Sequence, residues 1–341
     1  MTTTPALDFT HLARLTDDTG LFEHARHATV RREHGYCTDD VARGLLVTSR
    51  EPDPSPEVLR LAECYLTFLA HAQDGTGAFR NRLGHDRRWS DEPGVGDWWG
   101  RAVWGLGTAA ARSAAPWIRR EALGMFMLGA MRRSPAVHAM SYAGLGAAEV
   151  LRADPGNTVA SALLRDAATA VGVPAADPLW PWPRERLTYG NASLAEVVVA
   201  AGHLLRDDAL LAGGLRMLRW LHGVQESGDR LSVVAATGWR RDGPRERFDQ
   251  QPIEVAALAD AAATAIAATG QRHWDLVVRQ AAGWFLGDND GGVVMWDPLT
   301  GGGFDGLTPD GPNLNQGAES TLALLSTMQI ATGTTGPGPQ V

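Results

Sequence analysis

Apolar residues recur at the spacing of a helix face through nearly every long segment of this chain, whereas alternating, strand-like runs are short and rare. The pattern predicts about twelve helices, over residues 8–16, 38–49, 55–72, 96–111, 115–131, 134–153, 159–171, 191–205, 207–225, 252–269, 271–286 and 316–332. These segments are not equivalent, because every second one opens on a polar or aromatic signature. The signatures are Gly35-Tyr36-Cys37-Thr38-Asp39-Asp40, Gly96-Asp97-Trp98-Trp99-Gly100-Arg101, Ser134-Pro135, Leu187-Thr188-Tyr189-Gly190-Asn191, Phe248-Asp249-Gln250-Gln251-Pro252-Ile253-Glu254 and Asn313-Leu314-Asn315-Gln316-Gly317-Ala318-Glu319. Six helical hairpins closing into a ring account for the alternation, with six inner N-termini aimed at one shared cavity. An open solenoid would need polar capping pairs, and none is visible. The expected fold is all-α, a closed (α/α)6 barrel forming one domain over residues 1–332, with a small, polar tail at 333–341.

Composition excludes several function classes. With 44% apolar and 21% charged residues in 341, the chain can bury a large core. A net charge of −8 without a Lys/Arg stripe argues against a nucleic-acid partner. No window approaches twenty uninterrupted apolar residues, and Met1-Thr2-Thr3-Thr4-Pro5 lacks the basic start and apolar run of a signal peptide, so the expected location is cytoplasmic, without a membrane partner. Cys37 and Cys64 share no spacing with one another or with the ten histidines that would hold a metal, so no metal is expected. Gly105-Leu106-Gly107 and Gly144-Leu145-Gly146 follow no strand, which suits close helix packing rather than a dinucleotide loop. Asp288-Asn289-Asp290-Gly291-Gly292 lacks the ligand spacing of a calcium loop and reads as a turn.

The polar mouths carry the chemistry. Pro252 suits the first turn of a helix, so Asp249, Gln250, Gln251 and Glu254 gather near its positive end, where Glu254 is placed either to cap the helix or to meet a ligand. Thr38 reads as an N-cap, with Asp39 and Asp40 in the first turn and His34 and Tyr36 just upstream. Asn315 and Glu319 present the same choice between capping and chemistry at the last mouth. Opposed carboxylates across a glycosidic bond act as acid and base, or as acid and nucleophile. Twelve tryptophans against four tyrosines add flat indole faces suited to a pyranose ring, and Trp98, Trp99, Trp180, Trp182, Trp239 and Trp296 fall at mouths or loops. Trp104, Trp220 and Trp284 lie in helical stripes and read as core.

Four strings in order, GYCTDDVAR, WPWPRERLTYGNASL, FDQQPIE and NLNQGAESTLALL, resemble the bacterial all-helical domain found alone or attached behind glycosyltransferases. The resemblance runs from about Leu12 to about Met328 and implies an (α/α)6 barrel with a role in glycan chemistry. The chain departs from that pattern at Val41, where Asn is expected, and at Arg184 and Gly190, where acidic residues are usual; Glu185 is left as the nearby carboxylate.

The resulting expectation is a glycoside hydrolase acting on an oligosaccharide, with no cofactor. Catalytic candidates are Asp39, Asp40, Asp249, Glu254 and Glu319, with Glu254 or Asp249 as acid opposite Asp39 or Asp40. Substrate-binding candidates are His34, Tyr36, Asp97, Trp98, Trp99, Arg101, Trp182, Tyr189, Asn191, Gln250, Gln251, Asp305, Asn313 and Asn315. Two alternatives remain. A sugar epimerase or isomerase of the same barrel type would use histidines, with His34, His138, His203 and His222 available. A non-catalytic glycan-binding domain would serve a partner glycosyltransferase.

Overall fold

The structure, a computed structural model, describes residues 8–335. Among these residues the helices are α1 (Thr10–Arg14), α2 (Thr38–Ser49), α3 (Pro56–Ala72), α4 (Asp97–Arg112), α5 (Pro116–Gly129), α6 (Val137–Ala153), α7 (Thr158–Val171), α8 (Asn191–Leu204), α9 (Asp208–Gln225), α10 (Pro252–Thr269), α11 (Trp274–Leu286) and α12 (Ala318–Thr335). Helices α2, α4, α6, α8, α10 and α12 each pack on the next, and α12 returns to α2, so the even-numbered helices close an inner ring. The odd-numbered helices pack outside them, and the expected (α/α)6 barrel is what forms.

Burial follows from the sequence of each helix. In α3 the buried residues Val58, Leu61, Ala62, Tyr65, Leu66 and Leu69 fall on one stripe, as an outer helix with a wet face requires. Inner helix α10 is buried nearly all round, from Pro252 through Ala265. It is long and apolar enough to cross a membrane by composition, yet 72% of that stretch is enclosed by the barrel. Small residues let the inner helices approach closely: a Cβ on Gly107 would collide with the backbone of Gly146, and one on Gly146 with Val103 and Trp104. The two Gly-x-Gly pieces are therefore packing devices, as expected.

Several boundaries differ from the periodicity. Helix α1 is only five residues, α6 begins at Val137 after the Ser134-Pro135 turn, and α11 begins at Trp274. Helix α12 continues three residues past the expected end at 332; of the expected tail, residues 336–341 lie outside the described residues, as do residues 1–7. Short antiparallel pairs that periodicity does not show tie the mouth loops together, for example Tyr36–Cys37 with Arg82–Leu83 and Gly306–Thr308 with Gly311–Asn313. Asn289 holds its turn by donating to the carbonyls of Trp284 and Val293, at 2.7 and 2.6 Å.

Candidate active site

The inner-helix N-termini leave their ends open. Side-chain oxygens cap outer helices α3, α7 and α9, from Ser55, Asn157 and Asp207, whereas α2, α4, α6, α8 and α10 have no side-chain cap. Thr38 does not cap α2 as expected. Cys37 occupies that position, and the Thr38 hydroxyl donates instead to the Arg80 carbonyl at 2.7 Å. This ties the long α3–α4 loop to the mouth.

A cavity of about 430 Å³ opens at this end of the barrel. Four inner helices supply Asp39, Asp40 and Arg43 from α2, Asp97 and Trp98 from α4, Gln251 before α10, and Glu319 and Ser320 from α12. Loops add Glu23, His24, Asn81, Arg82 and Asp305. Six carboxylates thus face two arginines. Arg43 lies at the centre, bonded to Asp39, at 2.7 Å from Glu319 and 3.3 Å from Asp40, while Arg101 approaches Asp39 at 3.9 Å. Burial pushes the Asp40 carboxyl well above the usual carboxylate range; neighbouring Asp39, Glu319 and Glu23 push the same way and Arg43 opposes them. Burial also raises Asp305, against the Gly317 N–H that it accepts at 2.8 Å.

Glu23, Cys37 and Asp40 bring three potential metal ligands within 4.8 Å of one another. Glu23 is already bonded to Arg82, and burial beside Asp40 and Asp39 raises the Cys37 thiol, which opposes the thiolate a metal needs.

The mouth is divided, where one shared cavity was expected. Helices α6 and α8 line a second cavity of about 380 Å³ with His138, Thr188, Asn191 and Arg184. Tyr189 spans the two: its ring stacks on His138 at 4.2 Å and its hydroxyl donates to Asp97 at 2.5 Å. Burial lowers the His138 pKa.

Several sequence candidates sit elsewhere, each for a physical reason. Glu254 is buried at 4% exposure and accepts from the Gly190 N–H and from Asn191 Nδ2, the latter at 3.0 Å. It thus braces the start of α8, neither capping its own helix nor facing the large cavity, and burial raises its pKa to about 7. Asn191 is spent on the same brace and on the Thr188 N–H at 2.9 Å. Asp249 is exposed and stands outside the lining of either mouth cavity. Gln250 is fully buried, donating to Arg247 O and Asp290 and accepting from Trp284 Nε1. Tyr36 is core, stacked on Phe22 at 4.6 Å with its hydroxyl on Asp17. Trp99 is fully buried with its indole N–H on Gly129 O, so no ring face is left for a ligand. Trp182 is 1% exposed; it touches the smaller cavity from within an indole cluster that includes Trp180, Trp220 and Trp239. Asn313 and Asn315 accept from the Asn315 and His27 amides, which shapes their loop. His34 reaches the large cavity only through an edge contact with His24 at 4.8 Å. Arg101 lies beneath the cavity, 3.5 Å over the Tyr142 ring.

Sequence reasoning missed Glu23, His24, Arg43, Asn81, Arg82 and Ser320. Arg43 was findable, since it lies four residues after Asp39 and so on the same helix face. The loop residues carry no local signal.

The architecture and the acidic, indole-edged cavity define an (α/α)6 barrel with a ligand-sized site at its inner-helix N-termini. Solved structures share the fold. A sugar epimerase from a ruminal bacterium matches with a TM-score of 0.72 at 12% identity, over 94% of this chain and 95% of that one. Cellobiose 2-epimerase from Spirochaeta thermophila matches at 0.69 and 15%, over 94% and 93%. A cellulase of C. cellulolyticum in complex with cellobiose matches at 0.63 and 8%, over 93% and 88%. No protein-family model and no curated protein matches the chain.

Proposed function

We propose that this chain is a carbohydrate-active enzyme that hydrolyses a glycosidic bond of an oligosaccharide in the acidic cavity. The observation that carries the proposal is the convergence of Asp39, Asp40 and Glu319 on the single guanidinium of Arg43. The cavity, about 430 Å³, falls in the range of about 300–1,000 Å³ that holds small ligands. Its fold-mates, named as sugar epimerases and a cellulase, support a saccharide as the guest.

Asp40 is the general acid: burial keeps its proton in place for the leaving oxygen. Glu319, whose side chain is 39% exposed, is the partner best placed to meet water, with Asp39 beside it as the second choice. One of them takes a proton from the attacking water or attacks the anomeric carbon itself, and the separation of the paired carboxylates selects between these courses. Trp98 offers a ring edge, while Gln251, Asn81 and Asp97 offer hydrogen bonds to hydroxyls. These steps use no cofactor.

A panel of oligosaccharides, incubated with and without phosphate and analysed by mass, tests the proposal. Shorter saccharides with new reducing ends are expected, and Asp40→Asn is expected to lower kcat by about 10²-fold or more. Unchanged turnover in both Asp40→Asn and Glu319→Gln would overturn it. A second reading, sugar epimerisation, is favoured by His24, which lines the cavity beside His34. That reaction would exchange a substrate C–H proton with deuterated water without releasing a fragment. Saccharide binding without turnover would instead fit a binding domain for a glycosyltransferase.

A further inference from the structure

The large mouth cavity shares Arg43 and Glu319 with a small one of about 40 Å³ inside the barrel, which in turn shares Asp260 with a third cavity at the opposite end. This third cavity, about 670 Å³, is formed where the inner helices finish. Arginines there suit the negative ends of helices, which explains Arg50 after α2, Arg112 at the end of α4 and Arg152 in the last turn of α6. Helix polarity does not explain the carboxylates. Glu149 takes Arg112 at 2.7 Å and Arg152 at 2.9 Å, Asp260 takes Arg50 at 2.7 Å, and Glu51 accepts from Gln329 Nε2 at 2.5 Å.

Glu196, on α8, is left over. Its Oε1 accepts from the Thr264 hydroxyl at 2.8 Å, but its Oε2 is buried without a hydrogen-bond partner, in a residue only 5% exposed. The amide oxygen of Gln329 is a second buried acceptor without a partner. Both residues line the cavity. Buried acceptors left unmade are costly, so a wall that carries two of them suits a guest that donates. Three arginines face four carboxyl groups there, and Glu196 is the one without a guanidinium bonded to it or an amide donor.

We propose that this cavity at the far end of the barrel binds a small organic ammonium ligand, whose N–H groups are taken by Glu196 Oε2 and the Gln329 amide oxygen. Burial and the nearby Asp260 raise Glu196 to about 8, with the Thr264 hydrogen bond, Arg152 and Arg50 opposing, so it carries a proton at neutral pH. Asp260 on α10, Arg50 after α2, Arg152, Glu149 and Arg112 across the cavity and Glu51 at its rim complete the charged surroundings. When the ammonium enters, the Glu196 proton leaves to solvent and a carboxylate–ammonium pair remains.

Titration calorimetry of the full chain at pH 7 tests this, with 1,4-diaminobutane and glucosamine as probes and 1,4-butanediol as the neutral control. Two buffers of different ionisation enthalpy report the proton. Saturable binding of an amine, release of close to one proton and no binding of the diol are expected. The arm that binds distinguishes a polyamine-like from an amino-sugar ligand. Glu196→Gln should weaken binding at least tenfold, because it removes one partner of a buried charge pair. Gln329→Leu should weaken it too, and serves if the first variant does not fold. Asp40→Asn, in the mouth cavity, should leave amine binding unchanged. No saturable binding, no proton release, equal binding of the diol, or loss in Asp40→Asn but not in the Glu196 or Gln329 variants would overturn the proposal. Its failure would leave the hydrolase proposal untouched, since the two rest on different cavities.

Discussion

Asp40 and Glu254 are both the third residue of an inner helix, both buried, and both raised in pKa by burial, yet only Asp40 lines the large cavity. The difference is set by a neighbour distant in sequence: the Gly190 N–H reaches Glu254, so that carboxyl is consumed in holding α8. A single helix mouth, read along the chain, cannot separate these outcomes. What was legible at this scale is the set Asp39, Asp40, Asp97, Trp98, Gln251, Asp305 and Glu319, which does line one cavity. A pH experiment follows from Glu254. Its folded pKa of about 7 exceeds the free value of 4.5, so its favourable contribution is complete below pH 4.5 and is lost as pH rises through 7. Glu254→Gln should remove that loss. Urea unfolding of both proteins at the two ends of this window should show the wild-type chain losing on the order of 3 kcal/mol more than the variant.

Helices divide into two kinds by their ends and their flanks. Outer helices such as α3, α7 and α9 are amphipathic and carry side-chain caps; inner ones such as α8 and α10 are buried nearly all round and start without a side-chain cap. Periodicity showed where nearly every helix lies, and the polar signatures showed which are inner, because an inner N-terminus must face something polar. It overextended α1, since apolar residues before Thr10 and after Arg14 keep the spacing without continuing the helix. Two variants test the division. Asn157→Ala, which deletes the cap accepting from the Ala160 N–H, should cost about 1 kcal/mol in chemical denaturation with turnover unaffected. Gly107→Ala forces a Cβ into the Gly146 backbone across α4 and α6, and should cost about 1–3 kcal/mol or more by the same assay.

At the scale of the whole molecule, ring closure is what gathers the mouths of α2, α4, α10 and α12 into one site. The α12–α2 contact brings Glu319 beside Arg43, residues 276 apart in the chain. The alternation of signatures made the ring legible in the sequence. The division of its mouth by Tyr189 was not legible, nor was the arrival of Glu23, Asn81 and Arg82 from the loops, Arg82 on a short strand paired with Tyr36–Cys37, because neither depends on any local repeat. The gathered carboxylates are proposed to add water across a glycosidic bond. Incubating the oligosaccharide panel in heavy-oxygen water, with wild type and Asp40→Asn side by side and mass detection of the products, measures that claim directly. Shorter saccharides carrying heavy oxygen at the new reducing end are expected from wild type and should be nearly absent with Asp40→Asn. Saccharides of unchanged length from the wild-type chain, or equal labelling by both proteins, would contradict the claim.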